Sequence, residues 1–149
     1  MRILLRSLLL LTLVAGTVSA QTETLLTSTN QDPGVLFGSS VAVDGDRLAV
    51  GAPQDNRAGV YYIGSVTLFD RTPAGWPETV TIVPQITAVQ QFGISVALDG
   101  DRLAVGAFTA MTNTGVVYVY DLVAGNWTLS QMLSATDGAQ GEGFGYAVH

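Results

Sequence analysis

The chain has 149 residues, 48% hydrophobic and 12% charged, with 17 Gly, no Cys, no Lys and a single His at the last position. This composition excludes a disordered chain or a charged coiled coil, and it leaves no disulfide, thiolate or Cys/His zinc chemistry. Six Arg against twelve carboxylates give a formal charge of −6, which repels phosphate backbones and anionic membrane surfaces, so no nucleic-acid partner is expected.

Residues 1–20, MRILLRSLLLLTLVAGTVSA, carry the three parts of a secretory signal. Arg2 and Arg6 form the positive start, Leu8 to Val14 the apolar centre, and Val18-Ser19-Ala20 the small-residue cleavage site. The apolar run is too short to cross ~30 Å of hydrocarbon. No Cys follows the cleavage site to take a lipid. Cleavage after Ala20 leaves 129 residues, in which Arg47, Arg57, Arg71 and Arg102 face all twelve carboxylates, a net charge of −8. That length holds one modest core. The expected destination is extracellular, at the cell surface or periplasmic, with no membrane insertion after signal cleavage.

Residues 21–36 form an N-terminal segment. Glu23-Thr24-Leu25-Leu26-Thr27, ahead of Asp32-Pro33-Gly34, resembles Ser130-Gln131-Met132-Leu133-Ser134 ahead of Asp137-Gly138. It reads as an outer strand without its own blade, able to close a ring.

A repeat organises the rest. FGSSVAVDGDRLAVGA (37–52) returns as FGISVALDGDRLAVGA (92–107), with differences only at Ser39/Ile94 and Val43/Leu98. A third copy starts at Phe144-Gly145. GSVTLFD (64–70) pairs with GVVYVYD (115–121), and Trp76 with Trp127. The offset falls from 55 to 51 between these blocks, which places a four-residue insertion in the first copy before Gly64. Loops accept such insertions, so Pro53–Ile63 and Phe108–Thr114 are expected to be loops.

Each unit reads as four strands. In the first unit these are 39–43, 47–52, 65–70 and 78–83, with a hairpin at Asp44-Gly45-Asp46 and Gln85–Gln91 leading onward. Val, Ile, Thr, Tyr and Phe dominate them. The fold class is all-β, with propeller blades of four antiparallel strands: blade 1 at 37–91, blade 2 at 92–143, and the start of a third at 144–149. Ala49, Gly51 and Ala52 suit a crowded strand near a central axis. Phe37 and Phe92 are expected to pack between blades, so that Phe37→Ala costs about 3–5 kcal/mol. Propellers close with about four to eight blades, so the chain is expected to be part of a longer protein.

Phe37-Gly38 with Gly51-Ala52-Pro53, and Phe92-Gly93 with Gly106-Ala107-Phe108, resemble the FG-GAP repeat of integrin α-subunits and many exported bacterial proteins. Phe108 replaces the motif's Pro. Phe144-Gly145 opens a further copy. The resemblance implies an extracellular binding or adhesion module without catalytic residues. Its expected partner is an extracellular protein or glycan. A non-catalytic propeller accessory to a secreted hydrolase, with the catalytic domain beyond the C-terminal end, is the alternative.

In integrin-like members the loop between FG and GAP often holds calcium. Here it is reduced to Asp44-Gly45-Asp46 and Asp99-Gly100-Asp101. Two carboxylates per turn fall short of the roughly six to eight oxygens calcium takes. Asp44, Asp46, Asp99 and Asp101 are therefore weak calcium candidates, and no cofactor is expected. Asp55-Asn56-Arg57 reads as a solvated polar loop or a ligand contact. Tyr61 and Tyr62 either pack over the blade edge or stack on a sugar or peptide. Trp76 and Trp127 recur at equivalent places, as packing residues do. No Ser-His-Asp triad and no phosphate loop is present.

Overall fold

The structure is a computed structural model, and it describes residues 24–29, 34–57, 59–85 and 90–149. The signal at 1–20 and the turn residues Asp32 and Pro33 lie outside these. Strands β1 (Ser40–Asp44), β2 (Arg47–Ala52), β3 (Ser65–Asp70) and β4 (Glu78–Ile82) form one antiparallel sheet in the order β1-β2-β3-β4. Strands β5 (Ser95–Asp99), β6 (Arg102–Ala107), β7 (Val116–Val123) and β8 (Asn126–Leu133) form a second of the same order. The only helix among the described residues is the single turn α1 (Ala110–Asn113), inside the expected loop 108–114. The chain is all-β, built of two blade-like sheets that do not close a ring. Among the described residues no helix is long and apolar enough to cross a membrane.

The tight β1–β2 and β5–β6 turns follow from Gly45 and Gly100. Asp44 pairs with Arg47 across the first turn and Asp99 with Arg102 across the second. Of the two residues enclosed, only the glycine has positive φ, +55° at Gly45 and +54° at Gly100. This is the type II′ pattern, which places Gly at the first central position. At the β7–β8 turn both Ala124 (φ 50°) and Gly125 (φ 81°) are positive, the I′ pattern. There pairing continues to Val123↔Asn126, whereas in the first sheet it stops at Phe69↔Glu78. Pro77, which has no N–H, ends that ladder.

The two sheets meet through β5, which packs on β1 and β2. Between them Ala49, Val66, Leu68 and Ile82 of the first sheet contact Phe92, Val96, Leu103, Val105, Val116, Tyr118 and Tyr120 of the second. Phe92 is fully buried and stands edge-on to Tyr118 and Tyr120, with ring centroids 5.3 and 6.2 Å away. Burial pushes the pKa of both tyrosine hydroxyls up.

Phe37 differs from the expectation. It touches Phe69 at 6.3 Å but is only half-buried, because it lies on the face of the first sheet turned away from the second. The β1 part of that face is open: Val41 and Val43 are 58% and 63% exposed, whereas Val96, the counterpart of Val41, is 7% exposed and Leu98, the counterpart of Val43, is half-buried.

Both β1 and β2 lie against β5 of the neighbouring sheet, and Gly51 of β2 is crowded for a specific reason. Gly51 is required because the Phe92-Gly93 turn of the next repeat crosses it, and a Cβ there would overlap the Gly93 carbonyl oxygen. Gly106 meets Gly145 in the same way. The motif is thus a junction: the GAP glycine of one sheet receives the FG turn of the next.

Candidate functional site

The junction is fixed by four hydrogen bonds. The Gly38 N–H donates to the Gly51 carbonyl and the Gly93 N–H to the Gly106 carbonyl, each at 3.0 Å, tying each FG turn to its own sheet. The Ser40 hydroxyl donates to the Gly93 carbonyl and the Ser95 hydroxyl to the Gly145 carbonyl, each at 2.8 Å, tying each turn to the sheet before it. Ala52, Pro53 and Ala107 are buried at the ends of β2 and β6. Phe108, where the motif has Pro, stands edge-on to Tyr146 at 5.5 Å. Phe144 is half-buried beside Gly115, whereas Phe92 is fully buried beside Gly64.

At the opposite end of the sheets the two Asp-Gly-Asp turns meet. The Asp44 carboxylate accepts the Gly100 N–H at 2.6 Å. Arg47 Nη1 donates to the Gly100 carbonyl at 3.0 Å and to Asp101 at 3.3 Å, while its Nε reaches Asp70 at 3.0 Å. The guanidinium also lies over the Trp127 ring, 5.3 Å from its centroid. Burial alone would lower the Arg47 pKa, but the hydrogen bonds to Asp70 and Asp101 raise it.

Together these groups make an interblade clasp in which one repeat's Asp and Arg grip the next repeat's Gly-Asp. Asp44, Asp46, Asp70, Asp101, Arg47 and Arg71 line a cleft of about 360 Å³ there. With two guanidiniums among the carboxylates, and no group of three or more His, Asp or Glu placed to hold a metal ion among the described residues, this donor set does not fit calcium. Asp99 and Asp101 lie in the second turn; the neighbouring Arg102 donates to Asp121 at 2.7 Å and so holds that carboxyl below its usual range.

The clasp makes an asymmetric prediction. Arg47→Ala removes three acceptor contacts and an aromatic one, and is expected to cost about 1–2 kcal/mol, discounted for its partial exposure. Arg102→Ala, in an identical local sequence but with one carboxylate partner and a 65% exposed side chain, is expected to cost less. Urea denaturation of both variants checks this; equal costs would mean the clasp contributes nothing.

The long loop of the first repeat is a third feature. Asp55 is 1% exposed, so the expected solvated polar loop is corrected to a buried brace. The Asp55 N–H donates to the Ala52 carbonyl, its own carbonyl accepts the Gly64 N–H, and its carboxylate holds Arg57 Nε at 2.7 Å. Asn56 Oδ1 accepts the Tyr62 N–H at 2.9 Å.

Tyr62 has φ 56°. This left-handed conformation costs a non-glycine residue roughly 1–2 kcal/mol. Its equivalent in the second repeat is Asn113 at φ 68°, a residue type that tolerates the conformation. The sequence offered this signal, an Asn aligned with a Tyr, but only the backbone shows what it means. Tyr61 and Tyr62 are 72% and 45% exposed, so packing over the blade edge is not their main fate.

Trp127 packs on the core cluster and on Arg47; Trp76 is half-buried beside Thr24–Thr27. The N-terminal residues 24–29 form no strand, but Thr29 donates its N–H and hydroxyl to the Glu78 carboxylate at 3.1 and 3.2 Å.

Comparison with known families matches the FG-GAP repeat at residues 21–69 and again at 76–120. The second matched segment runs from β4 into β7, and the first from the N-terminal segment into β3. No individual curated protein matches the chain significantly.

Proposed function

The chain belongs to the FG-GAP repeat family, and from that premise we propose that it is a non-catalytic recognition module of the extracellular space, carried there by residues 1–20. The observation that supports this best is the division of labour between the two ends of the sheets. At one end Arg47 is held by Asp70, Asp101 and the Gly100 carbonyl, while the carboxylates of the turns stay open to water. The buried Asp55 is paired with Arg57, so among the described residues these carboxylates do not offer the unpaired, dry setting a general acid requires. At the other end the longer loop of the first repeat holds large aromatic side chains in water. Such a layout suits binding on loops held by a rigid β scaffold. The clasp takes over the joining of neighbouring loops that a cation would otherwise do, so calcium or a chelator is expected to leave the melting temperature unchanged.

Two measurements test this function. A reporter fused behind residues 1–20 is expected outside the cytoplasm, and the same fusion without them inside. The purified chain is expected to bind saturably to immobilised extracellular glycoproteins or polysaccharides without degrading them. Retention of the reporter, or turnover of the bound material, would overturn the reading.

A further inference from the structure

Resting on that reading of a recognition module, we propose that the loop carrying Tyr61 and Tyr62 is a stacking platform for a neutral oligosaccharide. Three features set this loop apart. It contains the four-residue insertion that distinguishes the first repeat from the second. It is braced from within, by the Asp55–Arg57 ion pair, by the paired backbone bonds between Arg57 and Val60 at 3.2 and 2.9 Å, and by Asn56 on the Tyr62 N–H. It presents two adjacent tyrosines, 72% and 45% exposed, whose hydroxyls have no hydrogen-bond partner among the described residues.

The backbone adds an independent argument. Tyr62 occupies a left-handed position, φ 56°, that the second repeat fills with Asn113. Asn suits this conformation and a bulky aromatic does not. A residue that strains the backbone while leaving nearly half of its surface in water is poorly explained by packing. Strain of this kind clusters at ligand contacts; Leu36, Gln91, Met111 and Ala124 share the left-handed φ, and Tyr62 is the aromatic among them.

The chemistry of the platform narrows the ligand. A tyrosine offers a flat apolar face with a polar tip, and two adjacent ones give a broad contact at little entropic cost. The C–H face of a pyranose ring matches the flat part, and its hydroxyls match the wet rim. Charge selects among sugars. The chain beyond residue 20 carries a net −8, which repels sulfated and uronic-acid sugars. The loop's cation, Arg57, is already held by Asp55. A neutral sugar meets neither obstacle.

The test is a calorimetric titration of the full chain with short neutral oligosaccharides from β-glucan, mannan and xylan, alongside a heparin fragment. At least one neutral series is expected to bind, and the heparin fragment is not. Tyr61→Ala and Tyr62→Asn are each expected to weaken binding by about 10-fold or more. Tyr62→Asn is expected at the same time to hold or raise the melting temperature, since it installs the residue the sister repeat uses. Unchanged affinity in both variants, or a lowered melting temperature for Tyr62→Asn with binding intact, would show a packing role and overturn the proposal. If the chain binds an immobilised matrix protein but no sugar, the recognition reading stands and the sugar platform falls. If it binds neither, both fall.

Discussion

Gly51→Ala is expected to cost about 3 kcal/mol or more, although it adds one methyl group. The backbone at Gly51 is ordinary strand, with no positive φ, so strain in the conformation is not the cause. The obstacle is the Gly93 carbonyl, which lies inside the volume the new Cβ would need, with the Ser40 hydroxyl also in contact range. Neither the Gly93 backbone nor β2 can retreat easily. The Gly93 N–H is tied to the Gly106 carbonyl at 3.0 Å and Gly51 is paired with both Ser40 and Val66. The substitution therefore pushes the two sheets apart at their junction.

Gly75→Ala is the comparison. Gly75 has φ 125° and open space around it, so the added methyl meets strain but no collision. Urea denaturation followed by tryptophan fluorescence reads both. A Gly51→Ala cost no larger than that of Gly75→Ala would mean that the Phe-Gly turn moves aside freely, and the junction would not be the fold's organising contact.

Phe92→Ala is expected to cost about 3–5 kcal/mol, and Phe37→Ala about 1–2, despite their place in near-identical segments. Phe92 is fully buried, with two tyrosine rings against it and the first sheet closing over it. Its removal opens a cavity that rigid strands on both sides cannot fill. Among the described residues Phe37 has a single aromatic neighbour, Phe69, and water reaches part of its surface. Truncation there loses some transfer free energy and leaves little void. For a domain of this size the Phe92 variant is expected to melt about 10 °C or more below the parent. Similar losses for both variants would mean that the open face of the first sheet is covered in solution.

The strands and the repeat were legible in the sequence for a physical reason. The pairing of 37–52 with 92–107, the alternation of β-branched residues and the Asp-Gly turns are local properties, carried by residues adjacent in the chain. They placed β2 and β3 correctly and β1 and β4 within a residue at one or both ends. The glycines were legible as necessary, but not why: the reason for Gly51 lies at Gly93, in the next repeat. The same holds at the turns. Asp44 and Arg47 read as turn residues or weak ligands, and it takes the neighbouring sheet to show that they grip Gly100 and Asp101.

The long loop was the least legible part. Asp55-Asn56-Arg57 is polar in sequence, and polarity usually means solvent. Here the Asp55 carboxylate is held by Arg57 Nε and its backbone is bonded to Ala52 and Gly64, so Asp55 can be buried, although Arg57 Nη2 is left buried without a hydrogen-bond partner among the described residues. Tyr61 and Tyr62 could as well have packed, since an aromatic beside a blade edge usually does.

The sequence by itself determined an all-β repeat chain of the FG-GAP family, its strand boundaries and its turns. Each of these follows from short-range periodicity, turn chemistry and internal identity. The tertiary structure decided which of two equivalent residues bears load: Phe92 rather than Phe37, Arg47 rather than Arg102, Tyr62 strained where Asn113 is at ease. The near-identical segments 37–52 and 92–107 cannot encode the first two of these differences. Burial and partnership depend on what packs against a residue from elsewhere in the chain, and the second sheet covers only one side of the first.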